Sequence, residues 1–448
     1  MKKIKLAIVT QTPLIHFKSN AYSKKSFIDI NNIDADSYSY SVGGVSIMEK
    51  DLIEYLADKK IVDLIYWFSL NPNSPKHIKL NELVHLYNIS TGSTYLKKYS
   101  IFKGLMWENI HGIKKGEYNN DDFVGYANHN WIFSKKILEK AKNFDAYYIH
   151  DFQQLMMGHM IGPIKPAILR WHVPFVPEFF SPLFMKFILH SVESFDTVIV
   201  STKRDLEGLI RAGYKGIAHQ VYPHINSNAW TEPSESEIIN FRKKFGIKKS
   251  DFIVTNVARM DSIKSQDSLI KAIAKVVKKA KNVKLMLVGS GSFTNTLNKE
   301  GFNKSMNYFQ YLKQLVKDLG IEKHVIFTGY LSINELKAAY KATGLFVLPS
   351  LIEGFGLVVV EAWQYEKCAI VSNGAGVSEL ITNGVNGYTY NPQDIKQLAD
   401  YILMLYSNEG ERASCGKHAK KLAKICDISN TGPKVISIIE NAIATYKR

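Results

Sequence analysis

Short apolar runs alternate with longer amphipathic stretches along almost the whole chain, and this alternation limits the possible folds more than any other feature. A strand that is apolar at successive positions must be covered on both faces, which is the situation in a parallel sheet flanked by crossover helices. In the first half such runs are Leu6 to Thr10, Val62 to Phe68, Ala146 to His150, Ala167 to Trp171 and Thr197 to Ser201. In the second half they are Phe252 to Val257, Lys284 to Val288, Val325 to Thr328, Leu345 to Leu348 and Ala369 to Ser372. Between the two sets, Pro223 to Glu237 has two prolines and no hydrophobic period, and reads as a linker. The pattern predicts two Rossmann-like α/β domains, 1–228 and 238–427, whose parallel sheets face a central cleft. The last helical pattern, Ile428 to Tyr446, carries an apolar stripe at Ile436, Ile439, Ala442 and Ile443. That stripe needs a surface, so helix 428–448 is expected to pack back on the first domain. Because ligands of open parallel sheets bind beyond the carboxyl ends of the strands, functional residues are expected just after strands.

Composition removes several classes of function. A chain of 448 residues, 46% apolar and 22% charged, can form two ordinary globular cores. The opening Met1 to Val9 resembles a signal sequence only briefly, since polar Thr10, Gln11 and Thr12 end the apolar run, and it reads as a first strand. No membrane span is expected: even the rich segment Gly344 to Trp363 carries Glu353 and Glu361. The three cysteines, Cys368, Cys415 and Cys426, form no CxxC and support neither a disulfide framework nor a zinc site, which fits a cytoplasmic protein. The formal charge of +16 is carried by lysines on amphipathic helices such as Lys271 to Lys281, the pattern of solvated faces rather than of a nucleic-acid binder. A basic surface suits small anions. Asp34-Ala35-Asp36 follows no strand and lies in a polar loop, so no metal role is expected for it.

The most informative stretch runs from Pro349 to Ala362 and begins where Leu345 to Leu348 ends. Gly354 and Gly356 let the backbone approach something small, and a helix begins near Leu357, so amide N–H groups and the positive helix end point beyond the sheet. A diphosphate fits there. Glu353 in the loop and Glu361 eight positions later suit opposite ends of one molecule, one for sugar hydroxyls and one for ribose. After the strand Phe252 to Val257 come Arg259 and Lys264, a planar fork and a point charge able to neutralise a leaving diphosphate without a metal. Arginine is scarce, seven residues against fifty lysines, so one at a strand end is unlike ordinary surface charge.

This combination resembles the retaining GT-B glycosyltransferases, with a donor domain like that of glycosyltransferase family 4. The resemblance covers nearly the whole second half, including the turns Leu287 to Gly291, Asn373 to Glu379 and Gly384 to Gly387. It implies donor binding by Gly43, Gly44, Arg259, Lys264, Glu353, Gly354, Phe355, Gly356, Leu357 and Glu361. No cofactor or metal is implied beyond the nucleotide sugar itself.

The first half has Gly43-Gly44-Val45 before a helical pattern that begins near Ser46. It then carries Trp107, Asp121 to Asn128, Ile149-His150-Asp151-Phe152, Trp171-His172-Val173-Pro174-Phe175 and Val221-Tyr222-Pro223. This order is similar to that in the acceptor domain of trehalose-6-phosphate synthases. The resemblance implies that Asp151 accepts hydrogen bonds from acceptor hydroxyls and that His172 acts with Arg259, Lys264 and Glu353 at the reacting centre. Trp107 and Tyr99 are placed either as acceptor-pocket walls or as core. Lys18, Lys24 and Lys25 are the cations offered for an acceptor phosphate, because the synthases' first-loop arginine has no counterpart here. Glu353 stands where those synthases carry Asp.

The resulting expectation is retaining transfer of glucose from a nucleotide diphosphate sugar, UDP-glucose favoured, to glucose 6-phosphate, forming trehalose 6-phosphate. Free glucose as acceptor, or another retaining transfer, stays open. An epimerase or phosphorylase of the same fold, or a non-catalytic binder, would be told apart by its products. Expected partners are the nucleotide sugar and a sugar or sugar-phosphate acceptor, with no nucleic acid; the sequence is compatible with a homo-oligomer.

Overall fold

The computed structural model describes residues 3–41, 43–290 and 299–446. The chain divides into two compact units, Met1–Pro223 with Ile428–Arg448, and His224–Asp427.

The first unit is built on a nine-stranded sheet. Its strands run in the spatial order Ala218–Gln220, Thr197–Val200, Ala167–Trp171, Ala146–His150, Ile4–Thr10, Val62–Leu70, Val84–Ile89, His77–Lys79 and Phe27–Asp29. Every neighbouring pair is parallel except His77–Lys79 against Val84–Ile89. Along the first strand the side chains alternate between two cores: Ile4, Leu6 and Ile8 enter one, Ala7 and Val9 the other. Period-two alternation with both faces apolar is what a helix-covered sheet requires. One core is filled by Phe102, Met106, Tyr126, Phe133 and Phe184. The other receives Leu52, Ile53 and Leu56 from helix Gly44–Asp58 together with Ile428, Val435, Ile436, Ile438 and Ile439 from the terminal helix Ile428–Tyr446. Gly432 in that helix lies where a Cβ would stand 2.9 Å from the Tyr55 ring, so close approach of the two helices demands glycine.

The second unit has a six-stranded, wholly parallel sheet in the order Val325–Gly329, Val283–Val288, Phe252–Val257, Leu345–Leu348, Ala369–Ser372 and Tyr388–Tyr390. Counted along the unit this is 3-2-1-4-5-6, the Rossmann order, and the direction of winding reverses between Phe252–Val257 and Leu345–Leu348. Val254, Leu285, Leu287, Leu345 and Ile370 face one core, and Ile253, Met286 and Val288 the other. The segment read as a linker carries structure of its own. Its end is the start of helix Glu235–Lys244, fixed by a capping box between Ser234 and Glu237, and Phe241 of that helix joins the core. Cys368 and Cys415 meet as buried thiols with their sulfurs 2.7 Å apart. No helix among the described residues is long and apolar enough to cross a membrane.

The seating of the terminal helix is testable. Ile439 is only 2% exposed, so Ile439→Ala is expected to destabilise the first unit by about 2–4 kcal/mol, read as a lowered midpoint of its chemical denaturation.

Candidate functional site

In the second unit three loops leave adjacent strands at the point where the winding reverses: 258–265, 349–356 and 373–377. Backbone hydrogen bonds tie them together. Leu351 donates to Ile263 O at 2.8 Å, Glu353 to Gly374 O at 3.1 Å, Gly376 to Glu353 O at 3.1 Å and Val377 to Phe355 O at 2.8 Å. Two glycines are required by this closeness. A Cβ on Gly374 would stand 2.0 Å from Leu351 O, and Gly356, at φ 105°, would bring one to 2.7 Å from Leu348. A third, Gly289 at φ 127°, lies against Ala258 O and holds the first loop down. Gly291, the end of the turn read from Leu287, lies outside the described residues.

Within this frame Lys264 forms an ion pair with Glu353 Oε2, to which Ser350 Oγ also donates at 3.3 Å. The pair is largely screened from water, Lys264 being 12% and Glu353 22% exposed. Burial pushes the Glu353 carboxyl up, but the Lys264 charge and hydrogen bond, the Arg259 guanidinium and Ser350 outweigh it and hold the group below its ordinary range. Arg259 lies 3.5 Å from Asp261, and its own carbonyl accepts from Gln266 Nε2 at 2.7 Å. Helix Leu357–Gln364 follows, with Gly356 as a cap that offers no side-chain hydrogen bond to the first-turn amides. Two cations, a carboxylate and a helix N-terminus thus converge beyond the sheet, an arrangement suited to an anion bearing a polar group. Glu361, on that helix, accepts a hydrogen bond from Tyr340 Oη at 2.6 Å.

In the first unit the corresponding strand ends are Ala146–His150 and Ala167–Trp171, which pair directly. The next residues, Asp151 and His172, therefore lie side by side: the His172 amide donates to Asp151 Oδ1 at 3.3 Å. Asp151 has φ 70°, a conformation non-glycine residues rarely adopt, and its side chain does not cap the helical turn that follows. Burial raises its carboxyl to about 7, with the amides of His172, Phe152 and Val173 opposing the shift. His172 Nε2 is 2.9 Å from His150 Nδ1, and His150 Nε2 is 3.6 Å from Glu49 Oε2. The nitrogen and oxygen atoms of Glu49, His150 and His172 lie within 4.8 Å of one another, the described set closest to a metal-ligand cluster. His150 presents a different nitrogen to each neighbour, however, so the three do not aim at one point.

Helix Gly44–Asp58 begins after Gly43, again with no side-chain cap, and a Cβ on either Gly43 or Gly44 would meet nothing within 4 Å. Lys18, Lys24 and Lys25 are exposed, Lys18 directly after the short strand Ile15–Phe17. Trp107 is partly buried and packs against His111, with ring centroids 3.6 Å apart and the planes tilted by 33°. Tyr99 needs a correction as a pocket wall: it is 1% exposed, lies inside the core against His129, and only its hydroxyl reaches outward, to Gln11 at 2.7 Å. Sequence reading did not single out Glu49 or Tyr340, and it quoted His150 and Ser350 only as members of longer runs, with no role of their own. For Glu49 the signal was present, since it falls on the same helix face as Met48, Leu52, Ile53 and Leu56.

Glu361 yields a pH prediction. Burial raises its carboxyl to about 7 although the Tyr340 hydrogen bond opposes this. Between about pH 4.5 and 7 the unfolded chain loses this proton while the folded one keeps it, so wild-type stability falls as pH rises through that window. Glu361→Gln keeps an acceptor for Tyr340 and removes the ionisation. Its Tm relative to wild type is expected to rise from pH 4.5 to 7 and then level off.

Comparison with known proteins agrees with this geometry. Residues 237–422 match the family described as Glycosyl transferases group 1. The chain is 27% identical over 282 residues to a trehalose synthase of Thermococcus litoralis, a match spanning 63% of this chain and 65% of that protein. Anabaena Alr3699/HepE in complex with UDP and glucose has a TM-score of 0.70 at 18% identity, covering 98% of this chain and 99% of that one. The trehalose-6-phosphate synthase OtsA has a TM-score of 0.79 at 14% identity, covering 97% and 99%. The two helix-covered sheets match GT-B structures in fold, and the three loops lie within residues 237–422, the segment that is similar to the glycosyl transferases group 1 family.

Proposed function

We propose that the protein transfers glucose from UDP-glucose to glucose 6-phosphate with retention of configuration, forming trehalose 6-phosphate. The observation that carries the donor side is the Lys264–Glu353 pair, with Arg259 beside it, at the reversal point of the second sheet. Glu353 is held ionised and accepts from sugar hydroxyls. Arg259, Lys264 and the amides from Phe355 to Leu357 receive the diphosphate, and Glu361 serves the ribose. In the reaction the bond from C1 of glucose to the diphosphate oxygen breaks while the acceptor oxygen bonds to C1 on the same face. The acceptor proton passes to the departing diphosphate, and UDP leaves. Stabilising that departing charge is the main catalytic contribution, and the two cations supply it without a metal. Asp151 accepts from the acceptor hydroxyls, His172 meets the transferred sugar near C1, and Trp107 borders the acceptor. Gly43 and Gly44 offer open space and helix amides to phosphate.

Likeness to a trehalose synthase in sequence, and to a trehalose-6-phosphate synthase and a UDP- and glucose-bound protein in fold, supports the choice of glucose and UDP. A second reading, free glucose as acceptor, is favoured by the segment after the first strand, which offers the exposed Lys18, Lys24 and Lys25 but no arginine for a phosphate. Incubation with UDP-glucose, ADP-glucose and GDP-mannose against glucose and glucose 6-phosphate, followed by mass spectrometry, separates the readings. Trehalose 6-phosphate is the expected product; trehalose itself favours the second reading, and donor isomerisation or sugar 1-phosphate release contradicts both. Arg259→Ala is expected to lower turnover at least about a hundredfold in a folded protein; near-normal turnover contradicts its assignment.

A further inference from the structure

Glu49, His150 and His172 raise a question that the transfer reaction does not answer. Glu49 is fully buried on helix Gly44–Asp58, and neither of its oxygens has a hydrogen-bond partner within ordinary distance. A carboxyl group kept in the apolar face of a helix is costly unless something nearby uses it. The group in reach is His150 Nε2, at 3.6 Å, itself buried and otherwise unpartnered. The other nitrogen of His150 lies 2.9 Å from His172 Nε2, and the two ring planes are inclined by only 8°. His150 is thus the middle member of a line that runs from the buried carboxyl to the partly exposed His172.

We propose that Glu49 and His150 are positioning residues forming a relay that fixes the ring orientation and tautomer of His172. A neutral imidazole carries one proton, so hydrogen bonds through two imidazoles must all point the same way. If Glu49 carries a proton, it donates to His150 Nε2, His150 Nδ1–H donates to His172 Nε2, and His172 holds its proton on Nδ1. If Glu49 is ionised, the direction reverses and His172 holds its proton on Nε2. Burial raises Glu49 to about 8, with the Arg170 guanidinium opposing, so the first direction is the one at neutral pH. Among the described residues, the other charged and titratable groups around the relay include Arg170, Tyr148 and Asp151, whose carboxylate accepts from the His172 amide. Tyr148 packs edge-on against His150 at 4.4 Å, and Arg170 is buried and donates to Val221 O at 2.8 Å.

The value of such a relay to catalysis rests on the role proposed for His172, but its existence does not, and the test reads the protein without substrate. Histidine-labelled ¹⁵N spectra at pH 7, assigned with His172→Gln, are expected to give a single Nδ1–H tautomer for His172 in wild type and in Glu49→Gln, whose amide can still donate to His150. Glu49→Met, with no donor or acceptor, is expected to give a tautomer mixture, and His150→Phe the same should that variant fail to fold. A tautomer mixture in wild type, or a His172 signal unchanged in folded Glu49→Met, overturns the relay. Uptake of one Zn²⁺ per chain that is lost in Glu49→Gln also overturns it, because the three side chains would then be ligands. In turnover, kcat of Glu49→Met is expected to fall about tenfold with KM held, the low end of the loss seen when partners that orient metal-bound histidines are removed.

Discussion

An ion pair between Lys264 and Glu353 holds together the part of the second unit on which the functional account depends. The two residues are 89 positions apart and come from loops on different strands, yet their side chains meet at the reversal point of a parallel sheet. Screened from water, neither charge is comfortable alone, and removing one leaves the other uncompensated. The pair therefore ties the loop after Phe252–Val257 to the loop after Leu345–Leu348, as the backbone bonds from Leu351 and Glu353 also do. It also keeps Glu353 ionised and leaves a cation-rich surface beside the amides that open helix Leu357–Gln364. On the proposed reading, the groups that would receive a diphosphate are the same ones that close the structure here.

The first unit reaches a comparable result with fewer charges. Two paired parallel strands end together, so whatever follows them in sequence is brought side by side by the register alone. That register sets Asp151 beside His172 and His150 within hydrogen-bond distance of the His172 ring. The left-handed backbone at Asp151 is strain tolerated at a strand end, where loops most often carry function. Behind this edge, Arg170 supplies a buried charge and Glu49 a buried carboxyl group that an ordinary apolar core would lack.

Much of this was legible in the sequence because strand-sized apolar runs in a helix-covered sheet have no other reading. Ala146–His150, Ala167–Trp171, Phe252–Val257, Leu345–Leu348 and Ala369–Ser372 were each placed from pattern alone, and so was the loop rich in glycine after Leu348. Strands Phe27–Asp29, His77–Lys79 and Ala218–Gln220 were not, since three residues of mixed polarity at or next to a sheet edge carry no periodic signal, and Val84–Ile89, with polar His85 and Asn88 among its apolar residues, was not placed either. Tyr99 illustrates a different limit: helical spacing cannot say whether an aromatic faces a pocket or the core, and here His129 and Tyr126 enclose it. The partners of Glu361 and Glu49 were hidden because both arise from contacts distant in sequence, with Tyr340 and His150. The positions of residues just after strands could be read from the chain; the partners that contact them could not.

The central claim is that Lys264, paired with Glu353, belongs to a cradle for a diphosphate. Calorimetric titration with UDP and with uridine isolates that contribution, because the two ligands differ only in the diphosphate. Wild type is expected to bind UDP at least about tenfold more tightly than uridine, a difference of about 1.4 kcal/mol, and Lys264→Met to lose most of that advantage while still binding uridine. An equal preference for UDP in wild type and in Lys264→Met would contradict the account.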